Sequence, residues 1–452
     1  LQSNDPWDGI YRRTILIRPK PAPLALRSAL YPSRDRLQPG DAAPIFLRQN
    51  FEATAAMKVL REAYAKNWDV PLDKLDVKSV RESTPLRWGE LRRAAFRERA
   101  GWEYPIGEER AAFILLPDVQ ESRLYAHAIV LAARADLKEG NVADAADKIC
   151  IATGLARHIG ETPFVICRLV QASHLDRALS VVEELLQHPA AENQYWSLTS
   201  IPRPLISTQD AFQFEAAMMA KTFPMLANSE SRLTEAEGMQ VATEISEFAL
   251  GSDRSLPRPE SPEAKKMLND WVAKSRTHLP EMRPDLSERV AKMSDAEVGS
   301  RYWYERVRSL ATQRFAWGSL EYSEAIPRLV AEQNRSPKPG LEDRAIQASV
   351  MDPLGLVRSA AFADQRVALL RTIEAVRDWS SKHEGKLPES LEQLDLPVPR
   401  DCIANAPLKY ERAADGQSAI LSGAEVAIPL RQAEGESIVV RRGFRYVLKL
   451  VE

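Results

Sequence analysis

The segment Gly140–Ile159, GNVADAADKICIATGLARHI, shows the fold class most clearly. Small and apolar residues recur in it every three or four positions, which is the spacing of one helix face. Gly140 can take the left-handed conformation that ends a helix, so a helix over 119–140 should be followed by another over 141–159. A third helix is predicted over 162–187. The chain is therefore expected to be built from antiparallel helix pairs.

The same segment resembles the second helix of a tetratricopeptide unit. Gly140 occupies the position of the turn glycine, Ala145 and Ala152 those of the small residues, and Ile149 that of the large apolar residue. The resemblance implies an array of helical hairpins. Such arrays expose long concave faces and mostly bind other proteins.

Periodicity and capping residues predict further helices on both sides of this segment. They are helices over 51–67 and 84–99 joined by a connection over 71–80, helices that begin after Ser207, Ser261 and Ser294, and a long helix over 356–384 that stops at Gly385.

The two ends of the chain have a different pattern. Residues 1–50 lack a helical period, and Arg12–Arg18 alternates like a strand before a proline-rich stretch. At the other end, strands are predicted over 408–411 and 418–422. The last stretch, 435–451, alternates around Arg441–Gly443 and predicts a hairpin with its turn there.

We therefore predict a mostly α fold, an antiparallel helical-hairpin array with a small C-terminal α+β module. Three domains are expected from these patterns. They are an extended N-terminal segment with short strands (1–50), a helical-hairpin domain (51–340), and a long helix followed by a small antiparallel β module (341–452).

Composition excludes several classes of protein. The 452 residues are 44% hydrophobic and 27% charged, typical of a globular protein. Lys and Arg total 61 against 63 for Asp and Glu, a net charge of −2, so no strong field favours nucleic acid or a membrane surface. No stretch approaches the ~18 consecutive apolar residues of a transmembrane helix. The three cysteines leave a bridge between Cys150 and Cys167 open.

A second resemblance covers residues 116 to about 224, which look like a recurrent family of exported proteins of planctomycete-type bacteria. It implies a removed signal peptide before Leu1 and an extracytoplasmic location, periplasmic or at the cell surface, for a soluble chain. It implies no biochemical activity. The residues that carry it are Leu116, Pro117, Gln120, Arg123, Gly140, Ala145, 155–163 (LARHIGETP), Leu169, Val170, 187–189 (QHP), 193–206 (NQYWSLTSIPRPLI), Phe223 and Pro224.

A third resemblance covers residues 368–422, which are similar to the soluble part of type II secretion pseudopilins. Gly385, Leu387, Pro388, Ser390, Leu391, Leu394, Pro407 and Tyr410 hold the family's positions. The resemblance implies a long helix, a loop and a small antiparallel sheet. A pseudopilin begins with an apolar membrane helix, whereas this module follows a helical protein. It is therefore expected to serve as a packing or docking module.

The sequence contains none of the standard phosphate-loop, dinucleotide, serine-hydrolase, zinc-protease, calcium or haem motifs. We therefore predict no cofactor and no metal, and regard an enzyme as the less favoured class.

Arg157, His158 and Glu161 are the best candidates for a catalytic site. His158 and Glu161 are three residues apart and so share a helix face, where they could bind a metal or exchange a proton. His174 and Asp176 on the next helix could complete such a site. The alternative is structural: Arg and His complement the dipole at a helix C-terminus, and Glu161 pairs with Arg157.

Tyr195 and Trp196 lie in a proline-flanked loop and are the candidate binding residues. They could form an aromatic platform for a glycan or peptide, or they could pin the loop to the helical core.

The function favoured by the sequence is a non-catalytic extracytoplasmic scaffold or protein-interaction subunit of a larger assembly, with other proteins as partners. The N-terminal segment and the C-terminal hairpin are its expected contact elements. Two alternatives remain open. One is a cell-envelope hydrolase that acts on glycan or peptide, and the other is an accessory subunit of a secretion or pilus-like assembly.

Overall fold

The computed structural model describes residues 8–24, 28–53, 57–106, 111–252, 261–335, 341–431 and 437–451. These residues are mostly helical and carry a small sheet, which confirms the predicted fold class in outline. The helices are α1 (Ala43–Ala53), α2 (Met57–Asn67), α3 (Val77–Ser83), α4 (Trp88–Ala95), α5 (Pro117–Glu139), α6 (Val142–Gly160), α7 (Val165–Gln187), α8 (Tyr195–Thr199), α9 (Gln209–Thr222), α10 (Pro224–Ala227), α11 (Glu235–Ser252), α12 (Pro262–Met282), α13 (Ser287–Val290), α14 (Asp295–Gly318), α15 (Tyr322–Arg335), α16 (Leu341–Ala348) and α17 (Pro353–Lys382). The strands are β1 (Asp8–Ile17), β2 (Gln38–Asp41), β3 (Arg97–Arg99), β4 (Lys409–Arg412), β5 (Ser418–Ser422), β6 (Val426–Arg431) and β7 (Ser437–Leu450).

The chain divides into two compact units that are not consecutive in sequence. The first combines the described residues of Leu1–Glu103, Leu116–Thr208 and Leu356–Glu452, and the second those of Tyr104–Leu115 and Gln209–Gly355. This division differs from the three consecutive segments expected from the sequence. The difference arises because the first strand pairs with the last one, a contact that sequence periodicity does not reveal.

The helices predicted around Gly140 form as expected, and α5, α6 and α7 pack against one another in the first unit. Gly140 has a φ of 82°, and its N–H donates back to the carbonyls of Asp136 and Leu137. The left-handed glycine therefore ends α5 and lets α6 begin two residues later.

The region before α5 differs from the prediction in three places. Helix α3 begins within residues 71–80, and its first turn is capped because Asp76 accepts a hydrogen bond from the Ser79 N–H at 3.1 Å. The helix predicted over 84–99 ends at Ala95, and β3 follows it because the carbonyl of Phe96 accepts from Gln38 N–H. Helix α1 already begins within the predicted extended segment, and residues 54–56 of the predicted helix 51–67 lie outside the described residues.

The predicted C-terminal hairpin is wrong, because β7 is one continuous strand of 14 residues. On one side it pairs antiparallel with β5 and β6, and on the other it pairs in parallel with β1 over Asp8–Ile17. Gly443, which suggested a turn, lies within the ladder opposite Ile10. Partners on both sides hold the strand straight through Arg441–Gly443, so the small sheet is mixed and includes the N-terminal strand.

The second unit is built around α14, which packs against α9, α11 and α12. Its N-terminus is capped as predicted, because Ser294 Oγ accepts from the Glu297 N–H at 3.1 Å. One apolar cluster of this unit contains Leu279, Leu286, Val290, Met293, Val298 and Tyr302.

Two further predictions concern membranes and cysteines. None of the helices in the described part of the chain combines the length and the apolar character needed to cross a membrane. Cys150 and Cys167 are both buried free thiols, so no bridge joins them.

Candidate functional site

The predicted catalytic residues Arg157, His158 and Glu161 lie together at the end of α6. One Glu161 oxygen is 3.2 Å from His158 Nδ1 and 3.4 Å from Arg157 Nη1. The helical spacing therefore places the carboxylate beside both partners, as the sequence predicted.

Their other bonds hold the segment that runs from the end of α4 through β3. Arg157 donates to three backbone carbonyls of that segment. The second Glu161 oxygen accepts from the Ala100 N–H at 2.6 Å, and Nε2 of the fully buried His158 lies 3.0 Å from the Ala94 carbonyl oxygen. These bonds favour the structural interpretation of the three residues. The carbonyls that Arg157 and His158 contact belong to the segment of α4 and β3, however, and not to the C-terminus of α6, as the sequence suggested.

The two residues that could have completed the site point elsewhere. His174 Nε2 is 3.0 Å from Ser122 Oγ, and Asp176 forms an ion pair with Arg366 at 2.6 Å. Trp196 lies on α8, where its ring contacts that of Tyr195. Arg157, His158 and Glu161 are therefore brought together without the other candidates.

A buried charge cluster surrounds Glu183 of α7. Its Oε1 accepts hydrogen bonds from Arg366 Nη2 and the Tyr446 hydroxyl, both at 2.6 Å. Its Oε2 accepts from Arg13 Nη1 at 2.7 Å and from the Tyr11 hydroxyl at 2.9 Å. Glu183 and Tyr446 are fully buried and Arg366 is 1% exposed. One carboxylate thus joins β1, α7, α17 and β7.

The cluster fixes the protonation state of its members. Burial opposes ionisation, yet the charges of Arg366 and Arg13 keep the pKa of Glu183 below its ordinary value. Burial, together with the charge of Glu183, raises the pKa of Tyr446 well above the ordinary phenol value. At neutral pH the phenol therefore donates to an ionised carboxylate, so the cluster acts as a clamp between elements.

A cavity of about 530 Å³ adjoins this cluster, and we call it the α7 cleft. One side is a polar stripe of α7 whose spacing places it on a single helix face. The opposite side comes from α2 and the residues that follow it. The lining consists of Tyr11, Arg13, Tyr64, Trp68, Asp69, Val70, Pro71, Arg134, Ser173, Asp176, Arg177, Ser180, Val181 and Glu184.

The aromatic wall of the α7 cleft is a stack of rings. The Tyr64 and Trp68 ring centroids are 5.1 Å apart, and His127 stacks on Tyr64 at 3.7 Å. Arg177 Nε donates to the Tyr64 hydroxyl at 3.1 Å across the cleft. The wall is therefore held in place before any ligand arrives.

Most charges in the α7 cleft are neutralised internally. Arg134 Nε donates to Glu184 at 2.8 Å, and Asp176 accepts from Arg366. Asp69 is exposed and forms no ion pair with any residue that the structure describes. Paired charges and rigid rings suit binding better than proton transfer, which needs a group with an available proton or lone pair.

Of the two predicted binding residues, Tyr195 is buried and Trp196 is exposed. Tyr195 is 1% exposed and its hydroxyl donates to the Pro397 carbonyl at 2.7 Å, whereas Trp196 is 38% exposed. Their ring centroids are 5.0 Å apart with the planes nearly perpendicular. Only Trp196 can therefore serve as an aromatic contact for a ligand.

Several hydrogen bonds hold the start of α8, the helix that carries Trp196, against α17. Asn193 Nδ2 donates to the Glu374 carbonyl at 2.8 Å, and the Gln194 N–H donates to the Glu374 carboxylate at 2.6 Å. Arg371, one turn earlier on α17, lies over the Tyr195 ring at 5.2 Å. Trp196 and Arg371 thus contact the same tyrosine.

Another arginine, Arg203, follows α8 in the sequence and precedes α9. The Leu205 N–H donates to Asp364 of α17 at 2.9 Å, which fixes the backbone next to the exposed Arg203. Burial and the charge of Arg371 lower the pKa of Arg203, whereas the charge of Asp364 opposes this shift. Within the described residues neither arginine forms a salt bridge, and Arg371 Nε is buried without a hydrogen-bond partner.

The sequence contained signals for some of these residues. The polar positions 173, 176, 177, 180 and 184 recur in α7 at the spacing of one helix face, which marks a solvent-facing stripe. Trp196 was recognised from its context. Trp196 and Arg371 are far apart in sequence, and nothing local indicates that both contact Tyr195.

No family model, curated protein or solved structure matches this chain. Among the residues described, no group of three or more His, Cys, Asp or Glu side chains is placed to hold a metal ion.

Proposed function

We propose that the chain is a non-catalytic binding protein, a scaffold or protein-interaction subunit of a larger assembly outside the cytoplasm. The α7 cleft carries this proposal. It offers a preorganised wall of tyrosine and tryptophan together with arginine, the residue types that dominate binding energy in protein interfaces. Its volume of about 530 Å³ is within the range of natural binding pockets.

Two further arguments support the proposal. The mutual packing of α5, α6 and α7 supports the proposal of a tetratricopeptide-like array, and arrays of that kind bind proteins. The bonds of Arg157, His158 and Glu161 to the β3 segment give these residues a structural role, which weighs against the hydrolase alternative. The extracytoplasmic location rests on the resemblance to exported proteins.

The test is affinity isolation of the protein from its native envelope fraction, followed by mass spectrometry and sizing of the recovered complex. We expect a stoichiometric partner that stays bound as ionic strength rises, because the wall of the cleft is aromatic. Recovery of a partner-free monomer would contradict the proposal and redirect attention to glycan and peptide substrates.

A charge reversal in the α7 cleft tests whether the partner binds there. Asp69→Lys changes an exposed side chain without an observed ion pair, so the fold should persist while the charge at the cleft changes sign. We expect partner affinity to fall about tenfold. Asp35→Lys is the matched control, since Asp35 is also exposed and lies outside the cleft. Equal recovery of the partner with both variants would exclude the cleft as the contact.

A further inference from the structure

The small sheet has a second face whose chemistry differs from that of the α7 cleft. On its inner face Leu421, Tyr446 and Leu448 are fully buried. Side chains alternate along a strand, so the residues between them point the other way. There Ile420 is 37% exposed, and Lys449 is exposed as well. We call this surface the open face, and it comprises alternate residues of four strands, 12–16 of β1, 445–449 of β7, 418–422 of β5 and 409–411 of β4.

The register of the strands places a mainly apolar row at the centre of the open face. Thr14 lies opposite Val447, and Val447 lies opposite Ile420. Neighbouring strands are ~4.8 Å apart, so the row runs across the sheet for about 10 Å. An exposed isoleucine in such a row offers an apolar contact to a partner.

Cations flank the apolar row on both sides. On one side Arg12 is the register partner of Arg445, and Lys409 follows in the same row beyond Ser422. On the other side lies Lys449, two residues further along β7. Like charges opposite each other on neighbouring strands destabilise a sheet. An anionic partner removes that cost, so the arrangement favours one.

Two carboxylates distinguish the kind of anion that fits. Glu425, at the margin, lies 3.2 Å from Arg445 Nη2 and 3.9 Å from Arg441 Nη1. Glu411 lies at the end of the apolar row, opposite Ile420. An anionic membrane or a nucleic-acid backbone would present more negative charge to these carboxylates, whereas a protein can place a cation against Glu411. The mixture of signs therefore favours a protein partner.

We propose that the open face binds an amphipathic acidic helix of a partner protein. The apolar stripe of the helix covers Val447 and Ile420. Its carboxylates reach Arg445 on one side and Lys449 on the other. Guanidinium and ammonium groups form strong charge-assisted hydrogen bonds with carboxylates.

The spacing of the rows favours a helix over an extended segment. Each cation row lies two residues from the apolar row along the strand, so the two cation rows are about 13 Å apart. A helix with its side chains is about 10–12 Å wide, and carboxylates on its two flanks reach both rows. An extended segment is narrower. Packing of a helix on a sheet is also an ordinary way to cover an apolar surface.

This inference rests on the proposed function and adds a second contact surface with its partner chemistry. Tyr11 and Arg13 line the α7 cleft, whereas Arg12 and Thr14 alternate with them and belong to the open face. Substitutions on the two surfaces therefore report on separate contacts.

The test measures fluorescence anisotropy of three labelled peptides against the full chain, each of about 18 residues, a length that can form a helix. The first carries leucines at one-face helical spacing with glutamates on both flanks. The second has the same composition in an order that gives the leucines no common face. The third has lysine in place of every glutamate. We expect the first peptide to bind most tightly, with an affinity that falls as ionic strength rises, and the third not to bind.

Two variants locate the contact. Lys449→Glu should weaken the first peptide about fivefold at low ionic strength, because an attraction becomes a repulsion. Ile420→Thr keeps a β-branched residue in the strand and should weaken this peptide about threefold through the lost apolar contact.

Arg442→Glu is the matched control, because Arg442 is an exposed cation of the same strand. Alternation places it on the other face of the sheet, opposite the buried Val426. Its substitution should change affinity by less than about twofold. Thermal unfolding of every variant confirms the fold.

Four results would overturn the inference. They are the absence of binding by the first peptide, equal affinity of the first and second peptides, equal losses with Lys449→Glu and Arg442→Glu, and binding of anionic phospholipid vesicles without binding of the first peptide. If affinity isolation recovers the partner equally with Lys449→Glu and with the unmodified chain, the proposed function stands and only this surface is refuted. If the unmodified chain recovers no partner, the proposed function itself fails.

Discussion

At the residue scale, Glu183 is the centre of a buried charge cluster in the first unit. Its two oxygens receive bonds from two arginines and two tyrosines that belong to three other elements. A buried carboxylate of this kind is stable only because its partners replace the lost hydration.

We predict that Glu183→Gln destabilises the protein by about 3–5 kcal/mol, because it leaves the buried Arg366 with less compensating charge. Urea unfolding followed by circular dichroism measures the loss. The double variant Glu183→Gln, Arg366→Met should recover part of it, since both buried charges are then removed. Losses that simply add in the double variant would contradict the coupling.

The unmodified protein and Glu183→Gln should also differ in their dependence on pH. The pKa of Glu183 is lower in the folded state than in the unfolded chain, so its contribution is fully present above the unfolded value. That contribution disappears as the pH falls through the folded value. Glu183→Gln cannot titrate there, and the difference in unfolding free energy between the two proteins should therefore shrink in acid.

The residue scale is also where the sequence was least informative about binding. Trp196 could be selected because a tryptophan between prolines in a polar stretch is unusual. Arg371, which contacts the same Tyr195 ring, is an ordinary arginine in its local sequence. Their relation depends on how α8 and α17 pack, which is a tertiary property.

At the element scale, the close approach of α4 to α6 depends on Gly154. A Cβ placed there would lie 2.6 Å from the Cβ and 3.0 Å from the Cα of Ala95. Contact with a backbone atom leaves little room to adjust, so the helices can approach this closely only with glycine at the position.

We predict that Gly154→Ala destabilises the protein by about 1–3 kcal/mol through this clash. Gly89→Ala is the matched control on α4, because no atom lies within 4 Å of the position that the alanine Cβ would take. It should be neutral or stabilise by up to about 1 kcal/mol, since alanine favours a helix over glycine. Chemical denaturation measures the free energy of unfolding of both variants. An unchanged value for Gly154→Ala would refute the close contact.

Local chemistry explains which elements could be predicted. Helices α5, α6, α7 and α17 carry long apolar periods with clear ends, so their existence followed from the sequence. Helix α3 is short, and its cap at Asp76 was overlooked within a polar stretch. Strand β7 was divided because Arg441–Gly443 has the composition of a turn, and only its two neighbouring strands show that it is continuous.

At the scale of the whole molecule, the pairing of β1 with β7 brings the two ends of the described chain into one sheet. Such a pairing has a large loop-closure cost that must be offset by many contacts. The buried Ile15 and Ile17 and the bonds of Tyr11 and Arg13 to Glu183 supply them. Periodicity could predict β1 as a strand but not its partner.

We therefore predict that a chain lacking residues 1–17 loses protection along β7. Hydrogen exchange measured by mass spectrometry should show faster exchange in 441–450, the residues that pair with β1, because their amides on that side lose their acceptors. The pairs with β5 and β6 should keep part of the protection. A chain lacking only residues 1–7 is the control and should exchange like the full chain, since β1 begins at Asp8. Unchanged exchange in 441–450 after removal of β1 would show that the parallel pairing does not form in solution.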